Sequence, residues 1–163
     1  MEFEHSVPKK ITDPKIGLTK AEQYCAYQER AQQEVRNKLY DWGLYQKDVE
    51  QIISNLIENN FLNEERFARI YVKSKFNQKS WGRVKIKQGL KFKQVPDKLI
   101  QKALKEIDGD EYMLRLSQII KKKEATLVEK DSYKCRYKLQ QYALSRGFEG
   151  DLIGDVLKDN LNN

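Results

Sequence analysis

The side chains best suited to do chemistry are the cations between positions 73 and 93. This stretch contains no Asp or Glu, and its eight basic residues exceed the net charge of +7 of the whole chain. They are Lys73, Lys75, Lys79, Arg83, Lys85, Lys87, Lys91 and Lys93. Because lysine and arginine neutralise phosphate groups, the stretch predicts a surface that binds nucleic acid or an acidic protein.

The spacing of three of these cations indicates how a helix would display them. Arg83, Lys87 and Lys91 recur every four residues, which forms a stripe on a helix, largely separate from the apolar Ile86 and Leu90. Like charges at this spacing destabilise a helix by about 0.2–0.5 kcal/mol per pair. An external anion therefore explains the stripe better than stability does; a solvated face that only aids solubility is the alternative.

Aromatic residues and a second cluster of lysines accompany this stretch. Phe76, Trp81 and Phe92 stand among the cations, where they could stack on nucleic-acid bases. Aromatic residues at helix ends more often fill the core, and that interpretation is favoured for all three. The lysines at 121–123 would cover three sides of a helix and are a weaker indication of binding.

The catalytic inventory is poor. His5 is the only histidine and falls in a predicted tail, and Cys25 and Cys135 have no metal-ligand spacing. Neither a phosphate-binding glycine loop nor a dinucleotide fingerprint occurs. We therefore predict no enzyme, no cofactor and no metal. The sequence has no signal peptide and no apolar run of membrane-spanning length, which predicts a cytoplasmic protein without a membrane partner.

The elements that would position the cations are helices. Only 3 Pro and 8 Gly occur in 163 residues, and capping signals recur along the chain. Thr19 with Glu22 predicts the first helix start, Asn63 precedes two acids, and Pro96 suits a first turn. Residues 1–18 are predicted to be a flexible tail.

An internal repeat organises these helices. Gly43, Gln94 and Gly147 align at spacings of 51 and 53 residues, and apolar residues recur at six positions around each of them. The positions before the turn follow one helix face, and those after it follow the face of a second helix. With a third helix in each repeat, the prediction is an all-α protein of three tandem three-helix units, 19–60, 61–108 and 109–163. Units of this size bury little surface alone, so we expect them to pack into an elongated, curved body.

Three segments carry a resemblance to a known family. Residues 61–68 resemble the signature that opens the middle unit of the RecX family, and 82–90 and 34–43 are similar to its other conserved-looking patterns. The signature residues, interpreted as mainly structural, are Phe61, Leu62, Asn63, Glu64, Arg66, Phe67, Ala68 and Gly82. The family usually has Gly where Gln94 stands, which leaves the geometry of that turn open. Arg66 could pair with Glu64 or Asp97, or contact a partner.

The resemblance implies a regulator of the bacterial RecA recombinase. Family members bind in the groove of the RecA filament, restrain its activities in DNA repair, recombination and the SOS response, and in some cases bind DNA. On this basis the basic stretch is expected to meet single- or double-stranded DNA, weakly and without sequence preference, or an acidic RecA surface. The alternatives are a helix-turn-helix DNA-binding protein that acts without RecA, and a helical scaffold that binds no nucleic acid.

Overall fold

The described part of the chain is wholly helical. A computed structural model describes residues 9–161 and their side chains through position 159, and these residues form nine helices and no strand. The helices are α1 (Pro14–Tyr27), α2 (Gln32–Trp42), α3 (Gln46–Glu58), α4 (Glu64–Lys79), α5 (Arg83–Phe92), α6 (Asp97–Leu104), α7 (Gly109–Glu124), α8 (Ser132–Ser145) and α9 (Gly150–Leu161). The predicted all-α class is confirmed. Within residues 9–161, no helix combines the length and apolar character that crossing a membrane requires.

The first helix begins earlier than predicted. It starts at Pro14, and the Asp13 side chain caps it by accepting a hydrogen bond of 2.9 Å from the Lys15 backbone N–H. Thr19 lies inside the helix, where its hydroxyl donates to the Lys15 carbonyl. The predicted start at Thr19 is therefore wrong, because an Asp cap followed by Pro at the first helical position is the stronger signal. Residues 1–8 of the predicted tail, with His5, lie outside the described residues.

The chain forms two compact units, Met1–Phe67 and Ala68–Asn163. In the first unit, α1, α2 and α3 pack against one another around a core that includes Val35, Leu39, Ile53 and Leu56. In the second unit, α5 packs on α6, and α7, α8 and α9 form a mutually packed group. The second unit thus holds the helices predicted for the last repeat and most of those predicted for the middle one.

The same turn follows the second helix of each repeat. Gly43, Gln94 and Gly147 all have left-handed backbone conformations, with φ of 112°, 59° and 93°. The next residue in each case donates its N–H to a carbonyl five positions back, which is the hydrogen bond of a Schellman motif. These bonds join Leu44 to Leu39, Val95 to Leu90 and Phe148 to Ala143, at 3.1–3.2 Å.

Burial follows the repeat as well. Every apolar residue of the six aligned positions is buried: Val35, Ile86 and Leu139; Leu39, Leu90 and Ala143; Leu44, Val95 and Phe148; Val49, Ile100 and Ile153; Ile52, Ala103 and Val156; Ile53, Leu104 and Leu157. The sequence repeat is therefore a repeat of core positions, in which two helices and the turn between them bury the same face each time.

Candidate nucleic-acid interface

Seven of the eight predicted cations lie on the second half of α4 and on α5, and Lys93 directly follows α5. Ile86 and Leu90 of α5 are both 0% exposed, which fixes the buried face of that helix. Lys91 is exposed beside it, and Lys85 and Lys87 are half-buried. On α4, Lys73 and Lys79 are exposed, and Lys75 is half-buried. Burial of the apolar face thus leaves most of the cations within reach of solvent.

Few acids neutralise these side chains. The Lys91 ammonium lies 3.8 Å from the Asp97 carboxylate, which is a loose and exposed pair. Among the described residues, no acid forms an ion pair with Lys73, Lys75, Lys79, Lys85 or Lys87. The surface therefore keeps most of its positive charge, as an interface for anions requires.

Trp81 organises two of the cations. The ammonium groups of Lys75 and Lys85 lie 4.8 and 4.6 Å from the centroid of its half-buried ring. Cations at this distance from an aromatic face are attracted by the quadrupole of the ring. Trp81 thus holds one lysine from α4 and one from α5 without removing the charge of either.

Arg83 differs from the lysines because it is engaged within the protein. Its Nη1 donates to Glu149 Oε2 at 2.8 Å, and its guanidinium carbon lies 3.9 Å from the centroid of the Tyr112 ring. The predicted placement of Arg83 away from the core is wrong, because this residue lies only about 20° around the helix axis from Leu90. The cations of α5 that remain available to a partner are therefore lysines.

Gly82 positions the start of α5 against a second glycine. Its N–H donates to the Arg146 carbonyl at 2.8 Å, and the Val84 N–H donates to the Gly147 carbonyl at 2.9 Å. A Cβ atom on Gly82 would collide with the backbone of Gly147, and one on Gly147 would collide with Lys85. Only glycine fits this close approach of two backbones, so the structural interpretation of Gly82 agrees with its surroundings.

Two arginines that the sequence analysis missed hold the C-terminal end of α4. Arg115 Nη1 donates to the carbonyls of Phe76 and Asn77 at 2.9 and 3.3 Å, and Arg146 donates through Nη2 to the Lys79 carbonyl. The last carbonyls of a helix have no partner within the helix, and the helix dipole favours a cation beside them. Both arginines lie more than 30 positions from their partners, where no spacing pattern could reveal them.

The residues of the 61–68 signature are engaged in structure. Leu62, Phe67 and Ala68 are buried, and Phe61 is half-buried against the core of the first unit. The Asn63 side chain accepts from the Arg66 N–H at 2.9 Å, as a helix N-cap does. These contacts support the structural interpretation of the signature.

Glu64 and Arg66 stabilise other helix ends. Glu64 Oε2 accepts from the N–H of Gln32 at 3.0 Å, which caps α2; burial raises the pKa of this carboxyl, partly offset by that hydrogen bond. Arg66 donates through Nε to Glu29 at 2.5 Å and through Nη2 to the Asn60 carbonyl at 3.1 Å. In the described part of the chain its ion pair is with Glu29, so neither Glu64 nor Asp97, the two acids left open as partners, forms it; contact with a partner protein stays a prediction. Glu29 lies in the connection between α1 and α2, and no local pattern links it to Arg66.

The aromatic residues among the cations have different environments. Phe76 is buried, as predicted, but Phe92 is 88% exposed, so the core interpretation is wrong for Phe92. Phe92 lies about 160° around the α5 axis from Leu90, which points it away from the buried face. An exposed ring between Lys91 and Lys93 is available for contact with a partner.

Metal binding and thiol chemistry find little support among the described residues. Within them, no group of three or more His, Cys, Asp or Glu residues could hold a metal ion. Cys25 is buried, and burial raises the pKa of its thiol to about 11, which keeps it protonated and unreactive near neutral pH. The basic surface is therefore the candidate site on which the functional argument depends.

Comparison with known proteins places this chain among proteins built from three-helix domains. Family models described as "RecX, second three-helix domain" and "RecX, third three-helix domain" match residues 63–104 and 110–157. Together these matches cover more than half of the chain, and the chain belongs to the RecX family. The predicted family is confirmed, and its second and third three-helix domains are matched; the predicted bounds of the three units stay predictions.

Curated relatives agree with this assignment, and a solved structure agrees with the fold. A "Regulatory protein RecX" from Clostridium acetobutylicum is 31% identical over 80% of this chain, and the match spans 62% of that relative's length. One from Prosthecochloris aestuarii is 29% identical over 93% of this chain and 98% of the relative. The crystal structure of RecX from Lactobacillus salivarius has the same fold, with a TM-score of 0.83 at 24% identity over 90% of this chain and 95% of that one.

Proposed function

We propose that this chain is a non-enzymatic regulator of the RecA recombinase, acting in the cytoplasm by docking on the RecA–DNA filament and restraining its activity. Membership of a family whose relatives are named regulatory proteins supports the regulatory role. Docking is the step that the chemistry of the surface supports, because a nucleoprotein filament presents DNA phosphates beside a protein surface.

The observation that carries the proposal is the charge that α4 and α5 leave without acidic partners. Lys73, Lys79, Lys85 and Lys87 form no ion pair with any described residue, and Lys91 has only the loose contact with Asp97. Concentrated positive charge accelerates association with polyanions and stabilises the complex by releasing counterions. The docking surface is defined as Lys73, Lys75, Lys79, Lys85, Lys87, Lys91 and Lys93. Arg83, which is held by its ion pair with Glu149, supports this surface.

DNA binding through this surface is weak and indifferent to sequence. Lysines neutralise phosphate well, but sequence is distinguished chiefly by arginine, asparagine and glutamine at base edges. Besides lysines, the exposed side chains of α5 are Val84, Gln88 and Phe92, of which only Gln88 is suited to reading bases. The composition of this face therefore favours filament docking over a helix-turn-helix protein that recognises a duplex sequence.

Co-sedimentation with RecA filaments tests the proposal. The variant Lys73→Glu/Lys87→Glu/Lys91→Glu reverses three charges and leaves the Arg83–Glu149 pair intact. The control Lys98→Glu/Lys105→Glu/Lys130→Glu makes the same change in net charge at exposed lysines outside positions 73–93. We expect the first variant to lose filament binding and inhibition of RecA ATPase, and the control to keep both, because attraction becomes repulsion only at the docking surface.

Three outcomes would contradict the proposal. If both variants bind filaments as the unmodified protein does, the docking surface lies elsewhere. If both lose binding equally, net charge rather than this surface governs association. If the unmodified protein binds naked duplex DNA with a sharp sequence preference and ignores RecA filaments, the helix-turn-helix alternative holds.

A further inference from the structure

A second basic site lies in the second compact unit, lined by residues that are not part of the docking surface. It is a cavity of about 490 Å³ between the end of α4, the last turns of α7 and the end of α8. Its lining includes four cations, Arg115, Lys122, Lys123 and Arg146. None of the described residues that line it is acidic. A concave site lined by one sign of charge concentrates its electrostatic field and favours counter-ions.

The guanidinium groups in this cavity are held in place and keep donors to spare. Arg115 donates from Nη1 to α4 carbonyls and to the Ser80 hydroxyl, and Arg146 donates from Nη2 to the Lys79 carbonyl. A guanidinium carries five N–H donors, so each arginine keeps further donors. Fixed guanidiniums with remaining donors are suited to the oxygens of phosphate groups.

One of these donors is buried without an acceptor. Arg146 Nε has no hydrogen-bond partner among the described residues, although it is shielded from solvent. Buried polar groups are nearly always hydrogen-bonded, so this N–H is an exception among the described residues. The four cations that line the cavity, with no acid among the described lining residues, make an anion its favoured ligand.

The lysines of the cavity complete an arrangement for phosphate. The Lys123 ammonium lies 5.0 Å from the centroid of the half-buried Tyr142 ring, which restrains it, while Lys122 is exposed at the rim. We propose that this cavity binds phosphate groups, donated either by the backbone of single-stranded nucleic acid or by a free nucleoside triphosphate. The site goes beyond filament docking, because it uses none of the docking-surface residues and requires no RecA.

The test compares two double variants of the purified full chain. Lys122→Gln/Lys123→Gln removes two charges that line the cavity, and Lys121→Gln/Lys130→Gln removes two exposed charges that do not. Neither touches the arginines that hold α4, and thermal unfolding checks that both variants fold. The probes are a fluorescent oligothymidylate, ATP and inorganic phosphate, measured by anisotropy and calorimetry without RecA.

The expected result is a loss confined to the cavity variant. If the oligonucleotide is the ligand, its affinity falls about tenfold, and the slope of log K against log salt becomes shallower by about 1.4, as loss of two single-strand phosphate contacts predicts. If ATP or phosphate weakens while the oligonucleotide is unaffected, the phosphate source is free nucleotide.

Two results overturn the inference. Equal losses in both double variants would show a diffuse effect of net charge rather than a site. Unchanged affinity for every probe in the cavity variant, or no binding of any probe to the unmodified chain, would show that the cavity holds no phosphate. Either result leaves filament docking standing, because no RecA is present in this experiment.

Discussion

α2 and α5 are the equivalent helices of two repeats, yet they differ in whether the aligned cation has an acidic partner. Arg36 of α2 pairs with Glu50 through two hydrogen bonds of 2.8 and 3.3 Å. The aligned positions in the middle repeat are Lys87 and Gln101, so the cation is retained and the acid becomes a neutral amide. The difference teaches that the repeat dictates the buried positions and leaves the surface charge free for function.

The turns that end these two helices differ in the residue that adopts the left-handed backbone conformation. Gly43 after α2 adopts φ of 112° without steric penalty, whereas Gln94 after α5 adopts φ of 59° with a side chain. The hydrogen bonds around both turns are nevertheless the same in kind and length. The second turn is therefore geometrically intact but strained.

Removing an aligned core residue should have the largest effect and should erase the difference between the helices. Leu39→Ala and Leu90→Ala each delete a fully buried side chain at the same register. We expect each to lower the free energy of unfolding by about 2–5 kcal/mol, from lost transfer energy and an unfilled cavity. Denaturant titration measures this. A cost below about 1 kcal/mol at one of the two positions would break the equivalence of the repeats.

Salt dependence should separate the two helices next. If about four phosphates are neutralised, log K for duplex DNA falls against log salt with a slope of about −3 to −4, a loss of roughly a hundredfold between 50 and 200 mM salt. Lys87→Gln should make the slope shallower by about 0.9, and Arg36→Gln should leave it unchanged, since Arg36 is already paired. Equal changes in both variants would remove the functional distinction between α2 and α5.

Exchanging the turn residues should give a smaller effect of opposite sign in each helix. Gln94→Gly relieves the strain of the left-handed backbone, and the greater entropy of glycine in the unfolded chain offsets part of this gain. The net stabilisation of the protein should be about 0.5–1 kcal/mol. Gly43→Gln should destabilise it by at least about 1 kcal/mol, because it adds that strain and a Cβ close to Lys10. Thermal unfolding of both variants tests the pair, and destabilisation by Gln94→Gly would refute the strain.

The Arg36–Glu50 pair should contribute least. Glu50→Gln should cost at most about 1 kcal/mol at neutral pH, because the pair is exposed. The hydrogen bond from Arg36 lowers the pKa of Glu50, so the stabilisation is complete above the ordinary pKa and disappears as pH falls through the lower folded-state value. Unfolding at pH 7 and pH 3 should show a smaller difference between variant and parent at pH 3. The same difference at both values would contradict it.

Much of the fold could be predicted because the repeat consists of apolar residues at a fixed local spacing. The aligned apolar residues around Gly43, Gln94 and Gly147 are all buried, since helix periodicity and a shared turn determine where they point. The start of α1 could also be predicted, because Asp13 before Pro14 is a local N-cap signal. The prediction misses this start because it assigns Pro14 to the tail.

The rest of the candidate site depends on contacts that only the folded chain creates. Arg66 finds Glu29 across 37 positions and Arg83 finds Glu149 across 66, and several acids compete for each arginine in the sequence alone. Phe92 was misassigned because aromatic residues usually fill cores, whereas the helix phase set by Ile86 and Leu90 turns it outward. That these lysines contact DNA or RecA stays a prediction.

The hydrogen bonds from Arg115 and Arg146 to the end of α4 have a consequence for the cooperativity of unfolding. The carbonyls that end α4 are satisfied by Arg115 from α7 and by Arg146, which follows α8. Because α4 belongs to the middle repeat and both arginines to the last one, the final turn of α4 gains these side-chain partners only when the last repeat has folded. The two repeats should therefore unfold as a single foldon, with amide exchange in the last turn of α4 tracking that of α7 and α8.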